Sequence, residues 1–380
     1  MPIPTNDSTR IRGLEAVRGQ IASDLLVMGG GVLGLSTAIE AMARGLTVTL
    51  FDDAPEKSAT LAAAGMLSPY AELIQTTSLQ EIMKQGRASY PAYVARVEEV
   101  SGCRVELAFP GTLMPGSSAA DQPRLEQLAR DFAEMGARSR YLAPSELSEI
   151  EPNLGAREAG AVLLEDEGYV NTHTLHIALR SGFERLGGTW IPLQALGLTV
   201  RQQRVVGVET ANGVVLGGAV LNATGAAGDR FLLPEDQERY RARPIRGQAI
   251  RLKPADPRDG ITRVIQMPGV AYLVPQADGS VIAGATSEAV GPFPGVTAGG
   301  VQSVLQGVER LVPCSKEWSF AGAWSALRPM AGEGQPVLAA DARKGLFHGL
   351  GLYRHGILLA PVAATRLAKL ISDYLGQQNG

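Results

Sequence analysis

The sequence predicts an α/β fold into which a second, mainly antiparallel-sheet domain is inserted as two segments. Three observations predict it. Residues 24–28 are an apolar run that leads into the glycines of residues 29–34, and a helical pattern follows. Residues 106–161 and 246–317 read as insertions with apolar cores of their own. The chain has 380 residues, 45% of them apolar, which is enough for two closely packed domains.

The first unit consists of a strand, a glycine turn, a helix and a second strand. Residues 24–28 are short and apolar, as is typical of a buried strand. The helical pattern runs from Leu35 to Arg44, and Gly45 can end it in the left-handed conformation. Residues 47–51 then form the second strand. This order predicts the first crossover of a parallel sheet.

The glycine turn has the spacing of a dinucleotide-binding turn. Gly29 permits a tight turn, Gly31 lets the backbone approach a pyrophosphate, and Gly34 lets the helix pack close to its strand. Asp52 stands at the end of the second strand, where a carboxylate accepts ribose hydroxyl groups in such folds. The unit predicts a bound dinucleotide. The alternative is a glycine turn that only packs a helix tightly against a sheet.

Further helices and strands are predicted after this unit. Ser78 and Thr172 are predicted to cap helices. Pro91 is expected to bend or interrupt the helix that begins at Ser78. Helices are predicted from Ser78 towards Ser101, from Pro123 to Gly136, from Thr174 to Leu186 and from Gly356 onward. Strands are predicted at about 189–200, 204–211, 214–224, 270–275 and 280–286.

Charge and metal-ligating residues exclude several classes of function. A formal charge of -3 without a basic stripe argues against nucleic acid as a partner. Cys103 and Cys314 lie far apart and predict neither a disulfide framework nor a zinc site. His173 and His176 are three residues apart on a predicted helix, but no third ligand follows at a suitable spacing. We therefore expect solvated histidines and no metal.

The chain ends and its apolar runs bear on location. No apolar run reaches the length of a membrane span, and residues 1–22 are charged and lack the apolar centre of a secretory signal. We interpret residues 1–22 as a flexible arm on a cytoplasmic protein.

The segment after Asp52 favours FAD over NAD. Residues 59–69 are rich in small side chains, which let backbone lie close to a flat ligand, where an NAD protein would enter its next strand. With Ala63 to Leu67, then Pro69 and the pair Ala71 and Glu72, the chain resembles the glycine oxidase and D-amino acid oxidase family of flavoproteins. The resemblance is closest to the glycine oxidases of thiamine biosynthesis and covers nearly the whole chain from Asp24.

The resemblance implies a domain division. It implies a Rossmann-type FAD-binding domain of the glutathione-reductase-like kind, assembled from residues 23–105, 162–245 and 318–380. Residues 106–161 and 246–317 would form the substrate-binding domain.

The resemblance also implies non-covalent FAD held by several distant segments. Residues 220–228 match a second flavin signature beside the pyrophosphate, although alone they equally indicate a strand ending in a loop. Ala195 matches a strand position whose backbone lies against adenine. The implied cofactor-binding residues are Gly29, Gly31, Val32, Leu33, Gly34, Asp52, Asp53, Ala59, Thr60, Ala64, Gly65, Met66, Ala195, Thr224, Gly225, Leu352, Tyr353, Arg354, His355, Gly356, Ile357 and Leu358.

Arg328 is the strongest candidate for a catalytic residue. It ends an apolar strand directly before Pro329. Burying a guanidinium is costly unless an anion meets it, and its planar set of donors matches a carboxylate. In the family the matching arginine binds the carboxylate of the amino acid substrate. The alternative is a structural salt bridge with an acid such as Glu333.

Four further residues are implied in the substrate pocket. The Tyr272 hydroxyl would reach the substrate, the alternative being a half-buried packing residue, and Ser287 lies where glycine oxidases often carry methionine. Arg354 would add charge at the flavin or contact substrate. His355 is either a polar residue at a helix start or a pocket residue. Here the chain departs from the family, which usually has Gly-His in place of Gly351 and Leu352 and an asparagine at His355, so the amine substrate is less defined.

The start of the last helix would face the flavin, where its dipole would stabilise the reduced anion. The implied reaction is oxidative deamination of glycine or another small amino acid. A hydride would pass from the α carbon to flavin N5, leaving an imine that hydrolyses to the oxo acid, while oxygen would be reduced to hydrogen peroxide. Three alternatives stay open: a dehydrogenase of D-amino or secondary amino acids such as sarcosine or D-proline that uses another electron acceptor, a covalent flavoprotein attached through Cys314, and a non-catalytic flavin-binding subunit. A homo-oligomer is also possible.

Overall fold

The computed structural model describes residues 21–73, 77–155, 157–332 and 334–378. Residues 1–20 of the predicted arm and Glu333 lie outside the described residues, and the first strand begins at Ile21. The strands are β1 Ile21–Met28, β2 Val48–Phe51, β3 Met66–Leu67, β4 Leu107–Ala108, β5 Thr112–Pro115, β6 Ser139–Leu142, β7 Ala161–Leu164, β8 Gly168–Val170, β9 Thr189–Ile191, β10 Gly197–Arg201, β11 Arg204–Thr210, β12 Gly213–Asn222, β13 Ala242–Lys253, β14 Val264–Met267, β15 Ala271–Pro275, β16 Val281–Gly284, β17 Ser319–Ala331, β18 Val337–Ala340 and β19 Leu346–Leu350. The α-helices are α1 Val32–Met42, α2 Ala59–Ala62, α3 Thr77–Ser101, α4 Gln122–Glu134, α5 Pro144–Ile150, α6 Thr172–Arg185, α7 Pro234–Tyr240, α8 Ala298–Leu311 and α9 Gly356–Gly376.

The first sheet has a parallel centre, in the order β10-β11-β12-β1-β2-β9, with β19 beside β12 and β18 beside β19. β1 runs parallel to both β2 and β12, and β12 runs parallel to β19. Leu25 and Val27 face a core shared with α1, α3, α6 and α9, while Leu26 and Met28 face the opposite core. Both faces of β1 are therefore buried, which explains its uninterrupted apolar run. The predicted α/β fold is confirmed.

The second sheet joins strands from two distant parts of the chain, in the order β17-β13-β16-β15-β14-β5-β7-β6. Its neighbouring strands are antiparallel except β14 and β5, which are parallel. Leu113, Leu163, Ile250 and Leu273 pack in a core together with Val304 of α8. A third, small sheet has the order β3-β8-β4.

Several element boundaries differ from prediction. α1 begins at Val32, directly after the glycine turn, rather than at Leu35. α6 is capped by Asn171 instead of Thr172, because the Asn171 side chain accepts hydrogen bonds from the amides of His173 and Thr174, both at 3.1 Å. An amide oxygen caps a helix as well as a hydroxyl does, so local sequence could not separate the two candidates.

Longer segments differ in the same way. The strand predicted at 189–200 is two short strands, β9 and β10, separated by a loop. Ser78 lies inside α3, which is described from Thr77 and continues through Pro91. Within the described ranges, no helix combines the length and apolar character needed to cross a bilayer.

Candidate active site

A cavity of about 1090 Å³ is lined by residues of both large sheets. Its wall contains every predicted site residue except Gly34. These are Gly29, Gly31, Val32, Leu33, Asp52, Asp53, Ala59, Thr60, Ala64, Gly65, Met66, Ala195, Thr224, Gly225, Tyr272, Ser287, Arg328, Leu352, Tyr353, Arg354, His355, Gly356, Ile357 and Leu358. The fold therefore brings together segments from the beginning, the middle and the end of the chain.

The glycine turn is shaped by the close approach of backbone. Gly29 has a φ of +103°, and a Cβ there would lie 2.5 Å from the carbonyl oxygen of Ala223. A Cβ on Gly34 would lie 1.9 Å from the Gly29 carbonyl oxygen, so Gly34 acts by packing α1 against the turn rather than by facing the cavity. The amide of Val32, at the start of α1, donates to Oγ1 of Thr60 at 2.9 Å.

Two polar side chains hold the middle of the turn. The Asp52 carboxylate accepts hydrogen bonds from the amides of Gly30 at 2.7 Å and Ala54 at 2.9 Å. Nε2 of His176 donates to the Gly30 carbonyl oxygen at 2.9 Å. His176 is buried, so the prediction of a solvated residue is wrong for it, whereas His173 is exposed. Burial lowers the pKa of His176.

The small residues after Asp52 form a close-packed wall. A Cβ on Gly65, whose φ is +79°, would lie 1.8 Å from the Val170 carbonyl oxygen. The indole Nε1 of Trp324, on β17, donates to the Ala62 carbonyl oxygen at 3.0 Å and so ties the second sheet to this wall. Ala195 is buried in the loop between β9 and β10 rather than on a strand.

A buried polar cluster supports the loop after β12. Asn222 Oδ1 accepts from the Thr224 hydroxyl at 2.8 Å, and its Nδ2 donates to the Gly228 carbonyl oxygen at 2.9 Å. The same Nδ2 lies 3.3 Å from Nδ1 of His348, whose Nε2 lies 2.8 Å from Oδ2 of Asp341. Sequence reasoning did not find this cluster, because it depends on the pairing of β12 with β19.

This half of the cavity fits the chemistry of FAD. Gly29 and Gly65 line it where a Cβ would clash with the carbonyl oxygen atoms of Ala223 and Val170, so that only a residue without a side chain fits these parts of the wall. The N-termini of α1 and α9 both line the cavity, and helix N-termini present free amides and positive partial charge to anionic groups. Asp52 supplies a carboxylate beside them.

Arg328 lines the end of the cavity that also contains Tyr272, Tyr353 and Arg354. β17 continues past it to Ala331, so the arginine lies inside a strand, and the prediction that it ends the strand is wrong. Its Nη1 donates to the Thr286 carbonyl oxygen at 3.0 Å, and a Cβ on Gly247 would lie 2.2 Å from its Cζ. Among the described residues no carboxylate lies within 4.0 Å of it. Burial lowers the pKa of the Arg328 guanidinium.

Tyr272 faces the same region from β15. A Cβ on Gly284 would lie 2.5 Å from its hydroxyl, so the absence of a side chain at Gly284 makes room for it. Burial raises the pKa of Tyr272, while the charge of Arg328 lowers it by a smaller amount. The hydroxyl is thus a protonated donor at neutral pH.

The segment before α9 closes this end. The Tyr353 amide donates to the Pro329 carbonyl oxygen at 2.9 Å. Burial raises the pKa of Tyr353, but a hydrogen bond with Ser287 and the charge of Arg354 outweigh that effect, and the net pKa is lowered. Arg354 is exposed at the cavity wall. His355 is 5% exposed, directly precedes α9 and lines the cavity. It is therefore both a polar residue at a helix start and a pocket residue.

Two polar residues at this end were not predicted. Nε2 of Gln266 donates to Oε1 of Glu72 at 3.2 Å, and both side chains line the cavity. Gln266 is paired with Tyr272 across β14 and β15. Glu72 stands in the motif that carried the family resemblance, whereas Gln266 has no local signal, because only strand pairing brings it to the site.

Glu167 stabilises the loop that leads to Glu72. Its Oε1 accepts hydrogen bonds from the amides of Tyr70 at 2.8 Å and Ala71 at 3.2 Å. Burial raises the pKa of Glu167 from 4.5 to about 7. A carboxyl group with a raised pKa in the folded protein binds its proton more tightly there than in the unfolded chain. The stability that the protonated form of Glu167 contributes is full below about pH 4.5 and is lost as the pH rises to about 7.

We therefore expect Glu167→Gln to remove part of the pH dependence of stability. The free energy of unfolding of the wild type, minus that of the variant, should fall as the pH rises from 4.5 to 7. Urea unfolding at several pH values measures this difference. A difference that stays constant over that interval would contradict the assignment.

Residues of a sheet with a parallel centre and of a mainly antiparallel sheet line the same cavity, and this cavity suits FAD. This arrangement is that of a flavoprotein oxidoreductase. The chain belongs to the FAD dependent oxidoreductase family, whose sequence profile matches residues 24–370. The resemblance stated from the sequence is confirmed, and FAD is the cofactor.

Curated relatives and solved structures agree with this family assignment. The bifunctional protein ThiO/ThiG of Trichormus variabilis is 31% identical over 93% of this chain and 53% of its own length, so this chain spans about half the length of that relative. The glycine oxidase of Geobacillus kaustophilus is 28% identical over 92% of both chains. The crystal structure of glycine oxidase from Geobacillus kaustophilus has a TM-score of 0.85 and 27% identity, covering 92% of this chain and 95% of its own.

Proposed function

We propose that the protein oxidises glycine or another small amino acid at the carbon that bears the amine. One observation carries the proposal: Arg328 is half-buried, has no carboxylate within ion-pair distance among the described residues, and lines the cavity that also contains the glycine turn. A partly buried cation of this kind calls for an anion, and the carboxylate of an amino acid has the matching planar geometry. The relatives named glycine oxidase support this substrate class.

FAD, bound non-covalently, supplies the two-electron acceptor for this oxidation. Residues of the glycine turn, the small-residue wall and the loop at Thr224 would hold it, with Asp52 beside the ribose. Cys314 does not line the cavity in the described part of the chain, which supports non-covalent binding.

The protein's own residues bind and orient the substrate. Arg328 would bind the carboxylate, and the protonated Tyr272 hydroxyl would donate a second hydrogen bond to it. The walls near Ser287, Arg354 and His355 would limit the size of the substrate and exclude water. Fixing the substrate in this way makes the reaction effectively unimolecular, so positioning supplies much of the rate enhancement.

The finer domain assignment is part of the proposal. Residues 23–105, 162–245 and 318–380 would form a glutathione-reductase-like FAD-binding domain, and 106–161 and 246–317 the substrate-binding domain. Pairing of β5 with β14, which joins the two segments in one sheet, supports one substrate-binding sheet. We further propose oxygen as the electron acceptor, with hydrogen peroxide as product, and a role in thiamine biosynthesis, as the relative's name ThiO/ThiG suggests.

Anaerobic bleaching of the flavin tests the function. The holoenzyme is mixed under nitrogen with glycine, sarcosine, D-alanine, D-proline and L-alanine, and loss of the flavin absorption band is followed. We expect glycine or another small amino acid to bleach the band fastest, and readmitted air to restore it with formation of peroxide. If no amine bleaches the band, the protein is a flavin-binding subunit without this activity. Bleaching without reoxidation by air would instead identify a dehydrogenase.

A further inference from the structure

We propose that Glu288 is a positioning residue for Arg328, acting through the carbonyl group of Thr286. The inference rests on the proposed function, because it concerns how the carboxylate-binding guanidinium is held. Glu288 itself does not line the cavity in the described part of the chain.

The Glu288 carboxylate is the centre of a polar network behind the cavity wall. Its Oε1 accepts hydrogen bonds from the Thr286 hydroxyl at 2.6 Å and from Nε2 of Gln248 at 2.7 Å. Its Oε2 forms an ion pair with Nη2 of Arg246. Gln248 also contacts Thr297, donating from Nε2 to the hydroxyl at 3.0 Å and accepting at Oε1 from the Thr297 amide at 2.8 Å.

The same network fixes the backbone of residues 286–288 against β13. The Arg246 amide donates to the Glu288 carbonyl oxygen at 2.9 Å, and the Glu288 amide donates back to Arg246 at 3.0 Å. The Gln248 amide donates to the Thr286 hydroxyl at 3.0 Å. Arg246 is 4% exposed and Gln248 is 1% exposed, whereas the Glu288 side chain is 28% exposed, so the network is partly shielded from water. The Thr286 carbonyl therefore has a defined direction.

That carbonyl oxygen accepts the hydrogen bond from Nη1 of Arg328, at 3.0 Å. The other side of the guanidinium is bounded by Gly247, where a Cβ would lie 2.2 Å from Cζ. Gly247 lies between the two β13 residues that Glu288 engages. Thr286, adjacent to Ser287, thus links a charged network outside the cavity to the arginine inside it.

Loss of the Glu288 charge has a local consequence. Arg246 would be left buried without its carboxylate, and the Thr286 hydroxyl would lose its acceptor, so the turn that carries the Thr286 carbonyl would shift. A shift of about 1 Å in a group that orients a substrate is sufficient for a large loss of function. Among the described residues the Glu288 side chain bonds to Thr286, Gln248 and Arg246, so we expect the effect to be confined to carboxylate binding.

The test compares Glu288→Gln with Glu151→Gln in the holoenzyme. Glu151 is the control, because its buried carboxylate accepts hydrogen bonds from Thr262 and the Arg263 amide just before β14, and none of these three residues lines the cavity. The measurements are the Kd of acetate from its effect on the flavin spectrum, KM and kcat for the amine that bleaches fastest, and the Kd of FAD.

We expect E288Q to raise the acetate Kd and the KM about tenfold, with a smaller change in kcat and an unchanged Kd for FAD. E151Q should leave all four values at wild-type level. A wild-type acetate Kd in E288Q, or an equal rise in both variants, would overturn the inference. If E288Q does not fold, acetate binding by the Thr286→Val variant tests the inference instead, because this substitution removes the hydroxyl group that donates a hydrogen bond to Glu288. Unchanged acetate binding in Arg328→Ala would instead refute the proposed role of Arg328 and leave the network without its function.

Discussion

Arg328→Ala is expected to abolish most substrate affinity while the protein stays yellow. Removing one partner of a buried, hydrogen-bonded charge pair costs about 2 to 5 kcal/mol, which is roughly 30-fold to several thousand-fold in binding. The Arg328 side chain is half-buried at the cavity wall, and its guanidinium donates to the Thr286 carbonyl oxygen. KM for the amine and the Kd of acetate measure the effect.

Two controls frame this experiment. Arg328→Lys keeps the charge but loses the planar pair of donors, so we expect an intermediate KM. Arg258→Ala removes an arginine whose side chain is 89% exposed, and it should change neither KM nor FAD content. A wild-type KM in Arg328→Ala would remove this residue from the substrate site.

Gly34→Ala is expected to give protein that purifies with little or no FAD. The added Cβ would lie 1.9 Å from the Gly29 carbonyl oxygen, and that backbone atom cannot move without changing the turn. Overpacking of this kind typically costs about 1 to 3 kcal/mol, and here it also displaces the start of α1 from the cofactor cavity. Flavin absorption per protein and the Kd for added FAD measure the result.

Gly299→Ala is the matched control. Gly299 also lies near the start of a helix, but a Cβ there has nothing within 4 Å. We expect full FAD content and an equal or slightly higher free energy of unfolding, because alanine favours a helix more than glycine does. Full flavin content in Gly34→Ala would show that the turn tolerates a wider spacing than the structure indicates.

The sequence was most informative where the interactions are local. Strand, glycine turn, helix and Asp52 follow one another within about thirty residues, and each is specified by its neighbours. Arg328 was recognisable because a charged side chain within an apolar run is costly, whatever its partner. Its surroundings were not recognisable, since Gly247 and Thr286 reach it only through the pairing of β13 with β17 and the turn after β16.

The same limit explains the other differences. His176 lies on a helix whose exposed face includes His173, and only the position of Gly30 on a neighbouring strand-to-helix turn makes its burial favourable. Gln266 enters the site because β14 pairs with β15. Asn222 and His348 meet because β12 and β19 run side by side. In each case two segments distant in sequence create the environment, which no local pattern contains.

The pairing of distant strands also governs how the chain acquires its structure. β1 lies between β2 and β12, and β5 is bordered by β14, so neither sheet can close while the ribosome still holds the later strands. α9 covers α1 and α3, which leaves apolar helix faces without cover until residues 356–376 have been synthesised. Contacts between residues that are distant in sequence slow folding and leave apolar surface exposed in the nascent chain. Because residues from Gly29 to Leu358 line one cavity, we expect FAD to bind only after α9 has been synthesised, and cofactor supply at that stage to affect the yield of holoenzyme.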